Sequence, residues 1–175
     1  MSNFSGKYGT LQGMRTVIMG MGIPGSGKTT YLKPLAERYG FTYVSPDEIR
    51  AELTGSATDQ SRDEDVWTLA RARIAQALEG NASVVMDATF SITRYRAEFV
   101  DFLREAGAHM VIGIVAEVEL ETALERNQSR DRVVPREVVE RMHASFIKEP
   151  PSLEDGFDAL FTLDEFVELE GKLLG

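Results

Sequence analysis

Short apolar runs alternate along the whole chain with longer segments whose apolar residues recur at helical spacing. The runs at 16–21, 41–44, 83–86, 110–115 and 159–163 have the length and composition of buried strands. In the segments between them one helix face is apolar, as in the series Val66, Ala70, Ile74 and Leu78. This alternation predicts an α/β fold with a parallel sheet of four to five strands and helices on both faces.

Two prolines bear on the expected helix boundaries. Pro34 falls inside the helix predicted for 27–39, and we expect it to kink or shorten that helix. Pro135 is predicted to be the first residue of a later helix, whose apolar stripe runs from Val138 to Phe146. The first of these helices should therefore be irregular, and the second should begin sharply.

The length and composition indicate one globular domain. The 175 residues suit a single domain, and the polar, glycine-containing residues 1–12 are expected to form a flexible leader before a domain over 13–175. The chain has no cysteine, which excludes disulfides and thiolate chemistry. No apolar run is long enough to span a bilayer, and a cytoplasmic location is expected. The net charge of −9 disfavours nonspecific nucleic-acid binding over the whole surface but allows a local basic cleft.

The segment GIPGSGKT (22–29) follows the first predicted strand and opens the first helix. It matches G-x-x-x-x-G-K-[ST], the phosphate-binding loop of P-loop NTPases. Its glycines let backbone N–H groups point at phosphate oxygens, and the helix N-terminus favours negative charge. Lys28 should reach the β- and γ-phosphates, and the Thr29 hydroxyl should ligate Mg²⁺. The residues predicted to bind the nucleoside triphosphate are Gly22, Pro24, Gly25, Ser26, Gly27, Lys28, Thr29 and Thr30.

Asp87 ends the third predicted strand, at the position where P-loop proteins place an acid near the metal ion. A structural alternative is that it caps the segment around Ser91. Because ligands of parallel sheets bind beyond the carboxyl ends of the strands, the functional interpretation is favoured. Asp87 would then contribute to the Mg²⁺ site through a bound water.

Two acids follow the second strand. With Ser45 as N-cap, Glu48 takes the capping-box position, so a structural role explains its presence. Asp47 is not needed for that box. It is either a first-turn acid favoured by the helix dipole or a general base that accepts the proton of an acceptor hydroxyl. The residues alone leave these two interpretations open.

Four arginines cluster in a short segment of an otherwise acidic chain. They are Arg126, Arg130, Arg132 and Arg136. One interpretation is a solvated basic face paired with Glu125, Asp131 and Glu137, each pair contributing very little. The other is a mobile lid over about 126–135 that places guanidinium groups on the transferring phosphate, an effect worth about 10³–10⁵ in rate. The sequence leaves both open.

Together these motifs resemble the kinase domain of polynucleotide 5′-hydroxyl kinases, within the wider P-loop kinases, over about residues 17–161. The matching segments are GIPGSGKT (22–29), SPDEIR (45–50), VMDAT (85–89), RNQSR (126–130), VP (134–135) and EDGFD (154–158). The P-loop is shared across a superfamily, whereas the ordered set is more specific. The resemblance implies transfer of the γ-phosphate of ATP, or of another nucleoside triphosphate, to the 5′-OH end of DNA or RNA, with Mg²⁺ as cofactor. Lys28 would act catalytically at the phosphates.

The resemblance also implies roles for five further residues. Asp47 matches the general base that activates the 5′-hydroxyl, and Arg50 matches the arginine that holds the neighbouring phosphate of the acceptor. Asp87 matches an active-site acid on the substrate side. Arg130 matches the catalytic lid arginine that contacts the donor phosphates, and Arg126 would support it in the nucleotide site.

Two other functions remain as alternatives. Zeta-toxin-like kinases, which phosphorylate a nucleotide sugar, place a base aspartate at the same helix start, so a small-molecule kinase is the first. The two kinds of kinase differ mainly in what Arg50 and the helix around Trp67 face. The second alternative is a nucleotide-binding switch without an acceptor, although a switch needs no acceptor base. For a nucleic-acid substrate, the −9 charge favours a short footprint around the terminal nucleotides.

Overall fold

The computed structural model describes residues 10–130 and 132–175. Most of the expected leader (1–9) and Asp131 therefore lie outside the described residues. Leu11, which was assigned to the leader, is 4% exposed, and its backbone N–H donates to the carbonyl of Leu173. Leu11 thus packs against the C-terminal helix of the domain, and the boundary after residue 12 stays a prediction.

The core of the fold is a parallel sheet of five strands, which confirms the predicted fold class. The strands are β1 (Thr16–Met21), β2 (Thr42–Val44), β3 (Val84–Asp87), β4 (Met110–Val115) and β5 (Ala159–Thr162). Their order across the sheet is β2-β3-β1-β4-β5, and every neighbouring pair is parallel. All residues of β1 are buried, as expected for the central strand of a sheet covered on both faces.

Seven α-helices connect or flank the strands in the described ranges. They are α1 (Lys28–Tyr39), α2 (Pro46–Thr54), α3 (Asp63–Glu79), α4 (Thr93–Glu105), α5 (Leu120–Gln128), α6 (Arg136–Lys148) and α7 (Leu163–Leu173). A short 3₁₀ turn spans Leu153–Asp155. Within these ranges no helix combines the length and the apolar composition needed to cross a bilayer.

Successive side chains of a strand belong to two separate hydrophobic clusters, one on each face of the sheet. Val17 and Met19 pack with α3 and α4, whereas Ile18 packs with α1 and α7. The period of two in a strand makes this division inevitable once the sheet is covered twice. A third, smaller cluster joins the P-loop residue Ile23 to Ala123 and Val139 of α5 and α6.

After the neighbouring strands β1 and β3, the polypeptide continues on opposite faces of the sheet. After β1 the chain enters α1 on one face, and after β3 it enters α4 on the other. A crevice opens where adjacent strands diverge in this way, beyond their carboxyl ends. The P-loop and Asp87 both lie at this position.

Three local expectations are wrong in detail. Pro34 does not shorten helix α1, which runs from Lys28 to Tyr39, and Leu32 and Leu35 on either side of it are fully buried against the sheet. Ser45 is the N-cap of α2, but its side chain makes no cap hydrogen bond, and Glu48 pairs instead with the ammonium of Lys33 at 2.6 Å. Pro135 is the N-cap of α6 with an extended ψ of 139°, so the helix itself begins at Arg136.

A buried ion pair joins α4 to the segment before β5. Arg96 is 0% exposed, and its Nε donates to Asp155 at 2.7 Å. Its Nη1 donates to the carbonyl of Phe90, and its Nη2 donates to the Thr93 hydroxyl and the Glu149 carbonyl. The guanidinium thus has four partners, so its charge is compensated by an acid and its donors by fixed oxygens.

Replacing Asp155 with alanine is expected to lower the free energy of unfolding by about 3–5 kcal/mol, because it leaves the Arg96 charge buried without its acid. Urea titration followed by circular dichroism measures this loss. The matched control is Glu140→Ala, which removes the carboxylate paired with Arg136 on the surface, at 44% exposure, and which should cost under about 1 kcal/mol. Equal small losses in the two variants would contradict the assigned role of the buried pair.

Candidate active site

The P-loop is shaped by glycines that no other residue could replace. Gly25 has a φ of +85°, and a Cβ placed there would lie 2.1 Å from the carbonyl oxygen of Ala123 in α5. Gly27 has a φ of +89° and is the N-cap of α1. These conformations leave the backbone wrapped closely around the start of the helix, as phosphate binding requires.

Ser26 adds an observation that fits an anion in this loop. The residue is 6% exposed, and among the described residues its hydroxyl oxygen has no hydrogen-bond partner. A buried hydroxyl without a partner is costly. A phosphate oxygen bound at the head of α1 would supply an acceptor for it.

Asp87 links the P-loop to the edge of the sheet. Its Oδ2 accepts hydrogen bonds from the Thr29 hydroxyl at 2.6 Å and from the Tyr43 hydroxyl at 2.7 Å. Its Oδ1 lies 4.0 Å from the ammonium of Lys28. Among the described residues, Asp87 makes no hydrogen bond that would cap the segment around Ser91. Its carboxylate instead faces the groups that would hold phosphate and metal.

Burial and charge set the protonation of this cluster. Burial is the largest influence on Lys28 and lowers its pKa; the negative charge of Asp87 acts in the opposite direction, and Arg130 adds to the lowering. Burial raises the pKa of Tyr43 well above its usual range, and the adjacent Asp87 carboxylate raises it further. The Tyr43 phenol therefore remains a donor to Asp87 throughout the neutral pH range.

A second cluster surrounds Asp47 at the start of α2. The Arg50 Nη1 donates to Asp47 Oδ1 at 2.8 Å, and its Nη2 donates to Asp63 at 2.6 Å. The other carboxylate oxygen of Asp47 pairs with Arg132. Arg50 has only 7% of its side chain exposed, whereas Asp47 has 47% exposed. The guanidinium of Arg50 is thus held by two carboxylates, whereas the carboxylate of Asp47 remains exposed to the cleft.

Both clusters line one cleft of about 680 Å³. Its inner end carries Lys28, Thr29 and Asp87, and Asp47 and Arg50 line the same space from α2. The charges of Asp47, Arg130 and Arg132, as well as that of Asp87, act on the pKa of Lys28. Groups suited to a phosphate donor and groups suited to a hydroxyl acceptor therefore share one continuous volume.

The four clustered arginines do not all lie in one environment: two of them line the cleft, and the other two are exposed on the surface. Arg130 and Arg132 line the cleft, as the lid interpretation expects. Arg136 pairs on the surface with Glu121 and Glu140, as the solvated interpretation expects, although with other acids than those predicted. Arg126 is exposed beside the P-loop, with its Nη1 3.9 Å from the position of a Cβ on Gly27.

The remaining predicted nucleotide residues are less tightly assembled. Pro24 lines the cleft, and Gly22 is fixed by its N–H, which donates to the carbonyl of Thr89 at 3.2 Å. Thr30 is exposed on the first turn of α1 and is not among the residues lining the cleft.

Sequence reasoning missed three features of this cleft. The sequence places Arg132 in the arginine cluster but does not predict its ion pair with Asp47. Tyr43 gave no signal beyond its place in a strand. Tyr95, near the start of α4, was not predicted as a site residue, although it is 58% exposed and lines the cleft. The pairing of Tyr43 with Asp87 follows from the register of β2 on β3, in which Tyr43 lies opposite Val85, two residues before Asp87.

The residues present fit a nucleotide bound together with Mg²⁺. A hydroxyl and a carboxylate from Thr29 and Asp87 match the oxygen ligands that this ion prefers, and Mg²⁺ commonly takes only one or two protein ligands beside phosphates and water. No group of three or more histidines or acids in the described ranges forms a separate metal site.

The fold is shared with several solved structures at low sequence identity. One chain of the Pnkp1/Rnl/Hen1 RNA repair complex superposes with a TM-score of 0.70 and 19% identity, covering 83% of this chain and 47% of that one. A sugar kinase from Janibacter has a TM-score of 0.61 and 21% identity over 90% and 92% of the two chains. Shikimate kinase from Acinetobacter baumannii has a TM-score of 0.56 and 16% identity over 93% and 97%.

The chain thus has the fold of P-loop kinases and spans about half the length of the repair-complex chain that it matches. A search of curated proteins gives no match. A family model described as an AAA domain (AAA_33) matches residues 17–151, which is more than half of the chain and includes the P-loop, Asp47, Asp87 and Arg130. The chain therefore belongs to this family of P-loop domains.

Proposed function

We propose that this protein is a polynucleotide 5′-hydroxyl kinase, which transfers the γ-phosphate of ATP or another nucleoside triphosphate to the 5′-OH end of DNA or RNA. The observation that carries the proposal is the shared cleft, in which Asp47 and the buried Arg50 face the same space as Lys28 and Arg130. A nucleotide-binding switch needs no such acceptor side.

In this mechanism the two ends of the cleft act on different reactants. Lys28 and Arg130 hold the donor phosphates, with Arg126 beside the P-loop as a further contact. Asp47 accepts the proton of the acceptor hydroxyl while that oxygen forms a bond to the γ-phosphorus. The bond from the γ-phosphorus to the β,γ-bridging oxygen breaks, and the nucleoside diphosphate leaves.

Asp47 can act as a base while its two arginine contacts persist. Each carboxylate oxygen has two lone-pair sites, so the hydrogen bonds from Arg50 and Arg132 do not fill it. These contacts hold the carboxylate in one orientation. Arg50 would also present its positive charge to a phosphate of the acceptor.

The Mg²⁺ ion would be held by Thr29 and, through a water, by Asp87. When bound, it would neutralise charge on the phosphate oxygens. The hydrogen bond from the Tyr43 hydroxyl holds the Asp87 carboxylate in place. Asp87 thus serves the donor site through its position at the end of β3.

The cleft is lined by five cationic side chains and four acids, and this excess of cations supports a nucleic acid over a neutral small molecule. Arg50, Arg71 and Arg132 all line the cleft in a protein whose net charge is −9. The likeness to a chain from an RNA repair complex supports the same choice. The similarly folded sugar kinase and shikimate kinase support the second candidate, a small-molecule kinase.

The first prediction is transfer of label from γ-labelled ATP to 5′-OH DNA or RNA oligonucleotides in the presence of Mg²⁺. The measurement is gel autoradiography of the oligonucleotide, with 5′-phosphorylated oligonucleotides as the control that should remain unlabelled. Absence of transfer to every oligonucleotide, together with transfer to a sugar, shikimate or a nucleotide sugar, would establish the small-molecule candidate instead. ATP binding with slow hydrolysis and no acceptor would establish the switch.

Replacing Asp47 with alanine is expected to lower kcat for transfer by about 10²–10⁴-fold, because the acceptor hydroxyl loses its base. Nucleotide affinity, measured by equilibrium binding of a fluorescent ATP analogue, should be largely retained. Glu48→Ala is the matched control, since Glu48 is the next residue, is similarly exposed at 48%, and contacts Lys33 on the surface. Loss of nucleotide binding in the Asp47 variant would indicate a structural role for Asp47.

Replacing Arg130 with alanine is expected to lower kcat by about 10³-fold or more, the effect of an arginine that stabilises charge on the transferring phosphate. Arg136→Ala provides the control, because Arg136 is bound to surface acids away from the cleft. Steady-state kinetics at saturating ATP compare the two variants. Similar rates would exclude Arg130 from the chemistry.

A further inference from the structure

The outer part of the cleft has an aromatic wall that phosphate transfer does not require. Trp67 and Tyr95 line the cleft beside Phe90 and Phe99. Trp67 meets Phe90 and Phe99 edge-on, with ring centroids 5.9 Å apart in both pairs. Phe90 and Phe99 are 8% and 2% exposed, whereas Tyr95 is 58% exposed at the rim. The two phenylalanines thus support a wall whose tryptophan and tyrosine reach the open space.

The loop at the base of this wall, around Phe90, is fixed by hydrogen bonds on both sides. Phe90 has a φ of +48°, a left-handed conformation that is costly for a bulky residue. The buried Arg96 donates to its carbonyl oxygen, and the carbonyl of the preceding Thr89 accepts from Gly22 in the P-loop. The strained loop is therefore tied both to the Arg96–Asp155 pair and to the phosphate site. A surface fixed in this way is ready to bind a flat ligand with little loss of entropy.

The charges around the wall favour a ligand that combines a flat ring with phosphate. The guanidinium of Arg71 lies 5.0 Å from the Phe99 ring centre and 4.6 Å from that of Phe102, and it lines the same cleft. Aromatic rings interleaved with arginine are the combination by which proteins bind single nucleic-acid strands, stacking on the bases and pairing with the backbone. A sugar could also pack on the ring faces, but only a ligand that carries both a flat ring and phosphate would use the rings together with Arg71.

We propose that Tyr95 and Trp67 form a stacking subsite for the nucleobases at the 5′ end of the acceptor, an inference that rests on the proposed kinase function. The reacting hydroxyl lies at Asp47, and the bases of the terminal nucleotides lie against the aromatic wall. Tyr95 and Trp67 are accordingly specificity-determining residues. They select acceptors that carry bases, whatever the base sequence, because every base offers a ring face.

The test compares a 5′-OH oligonucleotide with the same oligonucleotide whose two 5′-terminal nucleotides are abasic. For the unaltered protein, the abasic acceptor should raise KM by at least about 5- to 150-fold, the loss expected if only one of the two removed bases stacks, with kcat little changed. Tyr95→Leu, which keeps apolar area but removes the ring, should raise KM for the normal acceptor and leave KM for the abasic one unchanged. Tyr95→Phe should restore the normal values.

Two controls separate stacking from a change in structure. Leu153→Ala alters a residue that is also 58% exposed but lies outside the cleft, and it should leave both KM values unchanged. Trp67 is the single tryptophan of the chain, so its fluorescence reports acceptor binding without turnover. The normal oligonucleotide should quench this fluorescence at concentrations where the abasic one does not.

The outcomes distinguish this inference from the proposed function. Label transfer by the unaltered protein with equal KM for the two acceptors, or an equal effect of Tyr95→Leu on both, would overturn the stacking subsite and leave the kinase function intact. Absence of label transfer to any oligonucleotide would overturn the kinase function itself, and the stacking subsite with it.

Discussion

The carboxylate of Asp87 joins three parts of the chain that are distant in sequence. It accepts hydrogen bonds from Thr29 after β1 and from Tyr43 in β2, and it lies near the ammonium of Lys28. A carboxylate that is 5% exposed is stable only when it is paired and hydrogen-bonded. Since its donors come from the neighbouring strand β2 and from the first turn of α1, the register of the sheet and the conformation of the P-loop support each other.

Arginines and acids are paired with one another in the part of the cleft around Asp47. Arg50 is buried between Asp47 and Asp63, which compensate its charge and fix its direction. Arg132, from the segment between α5 and α6, pairs with the other carboxylate oxygen of Asp47. The local arrangement of charges, rather than the net charge of −9, therefore determines which ligand the cleft favours.

The fold alone does not select the acceptor, because P-loop kinases with this sheet include enzymes named for a sugar and for shikimate. Under the proposed function, the surface of the cleft around Asp47 would select the acceptor. Here that surface combines arginines with the wall of Trp67 and Tyr95, and the Arg96–Asp155 pair holds the loop that forms its base. A structural ion pair and a binding surface are thus parts of one assembly.

The sequence by itself determined the strands, their alternation with helices and the P-loop, because short apolar runs, helical periodicity and a glycine-rich motif are local properties of the chain. It left Asp47 and the arginine segment open, since a carboxylate at a helix start and a guanidinium near a turn look the same in either role. The tertiary structure brought Asp47 into the cleft and separated Arg132 from Arg136. It alone created the Tyr43–Asp87 and Arg96–Asp155 contacts, whose partners are 44 and 59 residues apart, because the packing of strands and helices decides which distant side chains meet.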